Sequence, residues 1–145
     1  MSGTVSARPL RKLAVLACMD ARLDPYRLLG LERGDAHVIR NAGGMATDDA
    51  IRSLAISQRL LGTEEIVVIH HTDCGMLTFS DPAWRAELQA ETGAAPPWDA
   101  DYPPELDRGV RDAVARLRAS PFLAHRDRIC GFVYEVETGA LREVG

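Results

Sequence analysis

EEIVVIHHTDCGM, residues 64–76, passes without a break from an apolar, β-branched run to His70, His71, Asp73 and Cys74. The run from Ile66 to Ile69 has the composition of a strand buried on both faces. It ends abruptly in side chains able to bind a metal or move a proton, followed by Gly75. Such a transition fits the carboxyl end of a strand in an open α/β sheet, where ligands bind.

Working outward, the same pattern recurs. KLAVLAC (12–18) is a second continuous apolar run and runs into Met19, Asp20, Ala21 and Arg22. AHVIRNAGG (36–44) reads as a short strand ending in a glycine turn. TDDAIRSLAISQRLLG (47–62) is the clearest helix: Thr47 or Asp48 can cap it, acids fill its first turn, and Gly62 ends it. A short helix is expected over 83–91, then an irregular loop rich in proline. PELDRGVRDAVARLRASP (104–121) is a second amphipathic helix, with Leu106, Val110, Ala113, Val114 and Leu117 on one face. RICGFVYEVETGALREV (128–144) reads as a strand, a tight turn at Glu137–Gly139 and an outgoing strand. Strands alternating with helices predict an α/β fold whose sheet is mainly parallel, with a hairpin at the end. The three strand ends CMDAR, RNAGG and HHTDCGM then lie side by side and hold all the unusual chemistry of the chain.

The 145 residues suit one domain, 1–145, with a core large enough to need no disulfides. A formal net charge of −4 argues against nucleic acid or an anionic membrane as partner. No run of about 18 apolar residues predicts a transmembrane helix, and residues 1–12 lack the apolar stretch of a signal peptide, so a cytoplasmic protein is expected. In a reducing compartment, Cys18, Cys74 and Cys130 point to metal binding or catalysis before a disulfide framework.

Cys18, His71 and Cys74 are the candidate metal ligands. Zinc takes thiolate and imidazole donors, and neighbouring strand ends about 4.8 Å apart can bring them together. Three protein ligands make an open, catalytic type of site. Against this stands the plain alternative that Cys18 is a small core hydrophobe. His70 is expected to pack at the strand end outside the metal shell. Asp73 is expected to accept backbone hydrogen bonds in the turn, Gly75 to let the backbone pass close to the site, and Cys130 to be a buried, inert thiol. A Cys-x5-Arg phosphatase loop is excluded by Asp24, and no glycine-rich nucleotide loop occurs.

C-M-D-A-R (18–22), R-N-A-G-G (40–44) and H-T-D-C-G-M (71–76), together with GFVYEVETGAL (131–141), resemble the beta-class carbonic anhydrases. The resemblance implies reversible hydration of carbon dioxide to bicarbonate by a zinc-bound hydroxide, with one Zn2+ per subunit. It implies Cys18, His71 and Cys74 as zinc ligands and Asp20 with Arg22 as a catalytic dyad. In some members the aspartate itself is the fourth ligand until the arginine draws it away. It also implies a three-layer fold with a central, mainly parallel four-stranded sheet, a C-terminal antiparallel strand and helices on both faces, built as a homodimer or higher homo-oligomer. Only eleven residues precede the first expected strand, so the long N-terminal arm of the longer members is expected to be absent. Short members include hydrolases of carbon disulfide or carbonyl sulfide, which keeps those substrates as an alternative.

Two thiolates and a neutral imidazole cancel the charge of Zn2+, so water there is acidified less than at a three-histidine site. Asp20 either accepts a hydrogen bond from that water or binds the metal directly, and Arg22 can hold Asp20 in a bidentate pair. Backbone N–H groups near Ala42, Gly43, Gly44 and Gly75 are the candidate substrate-binding groups. Arg40 is read equally as an anion contact or a salt bridge. A third reading, a zinc-holding module without turnover, requires Asp20 to stay locked on the metal.

Overall fold

The computed structural model describes residues 6–145; residues 1–5, part of the segment read above as carrying no export signal, lie outside the described residues. β1 (Leu13–Cys18) is buried at every position because it lies between two parallel neighbours, β2 (Ala36–Asn41) and β3 (Glu65–His71). β4 (Ile129–Tyr134) adds parallel to β3, and β5 (Leu141–Val144) adds antiparallel to β4. The spatial order is therefore β2-β1-β3-β4-β5, four parallel strands and one antiparallel edge.

α1 (Pro25–Leu28), α2 (Asp48–Arg59), α3 (Asp81–Thr92) and α4 (Leu106–Ala119) complete the chain. α2 and α4 cover one face of the sheet: Leu54, Val110, Val114 and Leu117 share a core with Leu16 and Val68. The other face buries Val15, Val67 and Ile69 against Leu23 and the half-buried Leu28. That second layer is thin, since its helix is the four-residue α1. Thr47 caps α2, its hydroxyl accepting from the Ala50 N–H at 3.2 Å. α3 begins two residues before the expected 83–91 because Pro82 suits a first helical turn. α1 is the element the sequence reading missed: Asp24 accepts from the Arg27 N–H at 3.3 Å, turning the Asp-Pro corner into a helical turn.

α4 approaches β4 at Gly131, where a Cβ would fall on Cγ1 of Val110. Cys130, expected to be buried, is only half-buried. It pairs with Val67 and so faces the thin second layer, as do the equally half-buried Phe132 and Tyr134. The expected tight turn after β4 is present, with the Gly139 N–H donating to the Glu135 carbonyl at 2.8 Å.

Alternation along β3 has a direct bearing on the chemistry. Ile66 and Val68 belong to the α2–α4 core, and Val67 and Ile69 to the opposite one. A strand has period two, so His70 and His71 leave on opposite faces. This is the physical reason that only one histidine joins the cysteines.

Candidate metal centre

Cys18 closes β1, His71 closes β3, and Cys74 stands in the turn that follows. One donor atom from each lies within 4.8 Å of the other two, and all three residues are buried. Both cysteines are free thiols. The His71 ring donates from Nδ1 to its neighbour's carbonyl, Thr72 O, at 2.8 Å. That bond fixes the tautomer and leaves the Nε2 lone pair facing the thiols. His71 Nε2 is buried and has no hydrogen-bond partner among the described residues. A buried, unpaired nitrogen is costly unless something fills its place, and two thiols with an imidazole lone pair are the donor set of a zinc-type cation.

The two thiols are not equivalent. The hydrogen bond from Cys74 draws Cys18 well below an ordinary thiol, against the opposing effect of burial, and His71 and the amides of Asp20 and Gly43 add to it. The same shared bond, with burial, pushes Cys74 up. A cation entering this cluster displaces the remaining proton, so binding is coupled to pH.

Asp20 stands beside the cluster. Its Oδ2 is 3.7 Å from His71 Nε2. Arg22 holds it through three bonds: the backbone N–H and Nε donate to Oδ1 at 2.8 and 3.0 Å, and Nη2 donates to Oδ2 at 2.8 Å. The guanidinium holds the Asp20 carboxyl far below the usual carboxylate range. Asp73 completes this arrangement in a way the sequence reading did not foresee. Its carboxylate accepts from Arg22 Nη1 at 2.9 Å and its carbonyl from Nη2 at 2.9 Å. The expected backbone bonds in the turn give way to this pairing because Asp73 adopts a left-handed φ of 55°, which turns its side chain toward Arg22.

The turn Ala42–Gly44 borders the cluster from the β2 side. Asn41 closes it, its side chain accepting from the Met45 N–H and donating to the Met45 carbonyl, each at 2.9 Å. Gly44 has φ +63°, and a Cβ there would lie 3.0 Å from both the Cys18 amide and the Ile69 carbonyl. Here glycine is needed for close approach. Gly75 is not: a Cβ on it would meet nothing within 4 Å, so the expected backbone squeeze belongs to Gly44. Gly75 does line the cavity over Cys18 and Cys74, a space of about 790 Å³ whose other walls include Ala42, Gly43, Met76 and Trp98.

Of the two readings of Arg40, the salt bridge is not formed among the described residues. Its guanidinium donates to three carbonyls, Cys18 at 3.0 Å, Asp20 at 2.7 Å and Leu23 at 2.8 Å, and so fixes the path of the loop that carries Asp20. His70 packs at the strand end as expected. It also bridges the Gly44 carbonyl, 2.9 Å from Nε2, and the Tyr102 hydroxyl, 2.6 Å from Nδ1. Tyr102, in the proline-rich loop, carried no signal in the sequence because its partner is a strand end 32 residues away.

The sequence model of the family described as carbonic anhydrase matches residues 13–104. Beta-carbonic anhydrase 1 of Mycobacterium tuberculosis is 52% identical over 142 residues, spanning 98% of this chain and 87% of the relative. A carbon disulfide hydrolase of Acidithiobacillus thiooxidans is 40% identical over 153 residues, spanning 91% of this chain and 76% of the relative. The crystal structure of carbonic anhydrase from Streptococcus mutans is similar with a TM-score of 0.88 at 40% identity, over 100% of this chain and 88% of that one. With matches of this extent reaching across both cysteine-bearing strand ends, the chain belongs to the beta-class carbonic anhydrases, a family of enzymes.

Proposed function

We propose that this protein hydrates carbon dioxide reversibly to bicarbonate, with one Zn2+ per subunit held by Cys18, His71 and Cys74. The observation that carries the reading is the buried trio of donors with an unpartnered imidazole nitrogen, beside a carboxylate held by arginine. Zinc, when bound, supplies a Lewis acid that makes water nucleophilic near neutral pH, an effect moderated here by two thiolates. The chain supplies the rest. Asp20 accepts a hydrogen bond from the attacking water and orients it. Arg22 holds Asp20 at a fixed angle, and Asp73 braces Arg22 from the far side. A cavity walled by Met76 and Trp98 suits a small substrate without a net dipole. The amides of Ala42, Gly43, Gly44 and Gly75 are our candidates for meeting the product anion.

A non-catalytic zinc module would require Asp20 to stay locked on the metal; the three bonds from Arg22 support the reading in which arginine holds the carboxylate for the water. A second reading, hydrolysis of carbon disulfide or carbonyl sulfide at the same site, is favoured by the apolar walls and by the 40% identical hydrolase. The proposal carries a cytoplasmic homodimer with it. Exposed Leu60 and Phe122, beside an apolar groove between α2 and α4, offer a face for a second copy. No helix among the described residues is long and apolar enough to cross a membrane.

Zinc analysis with stopped-flow carbon dioxide hydration tests the main reading. Turnover should require the metal and climb from pH 7 to about 9, because the attacking water must lose a proton. A flat or falling profile counts against it. Sulfide released from carbon disulfide, without carbon dioxide hydration, would favour the second reading.

A further inference from the structure

His70 and Tyr102 take no part in the chemistry proposed above, yet they are joined more closely than surface packing requires. His70 is 1% exposed. The Gly44 carbonyl can only accept, so His70 Nε2 carries the proton and donates to it. Nδ1 is then an acceptor, and the Tyr102 hydroxyl, 2.6 Å away, is its donor. Burial disfavours the charged forms of both rings, which keeps this neutral order of protons.

Three glycine contacts show how closely this bridge is enclosed. A Cβ on Gly109 of α4 would lie 2.8 Å from the Tyr102 hydroxyl, and one on Gly43 would lie 3.2 Å from its ring. A Cβ on Gly44, the residue His70 holds, would meet the Cys18 amide at 3.0 Å. The phenol therefore fills a slot between α4 and the 42–44 turn, and that turn rests on a candidate metal ligand. Tyr102 also belongs to the stretch whose Trp98 and Ala100 wall the cavity. Trp98 in turn packs on Trp84, with ring centroids 5.8 Å apart.

We propose that Tyr102 is a positioning residue: by donating to His70 it fixes the imidazole that holds Gly44, keeping the 42–44 turn against Cys18 and the 93–105 stretch over the cavity. It acts through other groups and touches neither substrate nor metal. The inference rests on the zinc reading above for its effect on turnover, but its effect on metal affinity and on His70 stands apart from the choice of substrate.

The test uses the full chain and two variants, Tyr102→Phe, which keeps the ring, and Tyr102→Leu, which empties the slot. Outer-shell partners of metal ligands alter affinity by about 10–100-fold, and this one acts a bond further out. Tyr102→Phe should therefore weaken Zn2+, measured against a chromophoric chelator, by about threefold to tenfold. It should lower kcat per bound zinc by a similar factor, with KM changing less than about twofold. In the 15N spectrum of the zinc-loaded protein, His70 Nδ1 should move toward the position of a free ring nitrogen. Tyr102→Leu should add a rise in KM; should it fail to fold, the Phe variant decides alone. Unchanged zinc affinity and unchanged kcat in Tyr102→Phe overturn the proposal, even if thermal stability falls. An unchanged His70 spectrum overturns it too. If the wild-type protein binds zinc and hydrates no carbon dioxide, the proposed function fails, while zinc affinity and the His70 spectrum still decide the role of Tyr102.

Discussion

Replacing Asp20 by asparagine separates a ligand from a proton acceptor. The amide has the shape of the carboxylate, so its oxygen can keep the bonds from the Arg22 N–H and Nε, now at 2.8 and 3.0 Å. Its NH2 group then faces Arg22 Nη2 across a 2.8 Å separation, donor against donor. That bond is lost, but Arg22 remains tied to Asp73 by two bonds of 2.9 Å. The lost charge also weakens the two bonds that the amide oxygen keeps, so Tm should fall by roughly 2–4 °C. The effect on turnover is larger. Losing the positioned carboxylate should cost about 100-fold in kcat, equivalent to about 2.7 kcal/mol, with zinc content unchanged. Zinc analysis, thermal unfolding and stopped-flow hydration on the same sample measure all three. A variant that no longer holds zinc would make Asp20 a ligand, and one with wild-type turnover would remove it from the chemistry. The pH dependence follows from the same contact. Arg22 depresses the Asp20 pKa in the folded state, so its stabilisation is complete above the unfolded value of about 3.9 and is lost as pH falls through the folded pKa. Asp20 is thus ionised throughout pH 5–9, and the expected rise in activity there belongs to the water.

Further outcomes follow from neighbouring contacts. Arg40→Ala should free the loop 18–23 by removing three donors from the Cys18, Asp20 and Leu23 carbonyls; we expect a loss of about 2–4 kcal/mol in urea unfolding and reduced turnover, with Arg40→Lys recovering only part of both. Gly131→Ala should lower stability by about 1–3 kcal/mol, because its methyl group would fall on the fully buried Val110; an unchanged Tm would mean that α4 yields freely. Stripping the metal with a chelator should abolish turnover and lower Tm, since a ligand that prefers the folded state stabilises it, and Cys74→Ser should mimic that loss. A chelated protein with undiminished activity would contradict the zinc reading.

The strands that carry the donors were legible because β1 and β3 are buried on both faces and must be continuously apolar. The meeting of Cys18, His71 and Cys74 was legible because adjacent parallel strands end at one edge. What escaped were contacts made by loops. Asp73 reaches Arg22 only because its backbone turns left-handed, a conformation aspartate tolerates without advertising it. Arg40 reads as a spare cation in one dimension; in space three carbonyls of a neighbouring loop surround it. Tyr102 lies among prolines with no periodicity to say which way it points, and its slot exists only once α4 and the 42–44 turn are assembled. Cys130 belongs with them: alternation says which side of a sheet a residue faces, not how thick the layer over that side will be, and Cys130 shares the thinly covered face with Phe132 and Tyr134.

β3 is the central strand of five, hydrogen-bonded to a neighbour on either side. Amides in such a position are the last to exchange with solvent, because only global unfolding exposes them. Successive residues at its end send one imidazole to the sulfurs and the other to the phenol, so a single peptide unit bolts both sides of the enzyme to its slowest-opening element. Breathing motions must therefore be confined to the loops on either side, which leaves entry and exit of substrate free to be fast while the anchor points stay still.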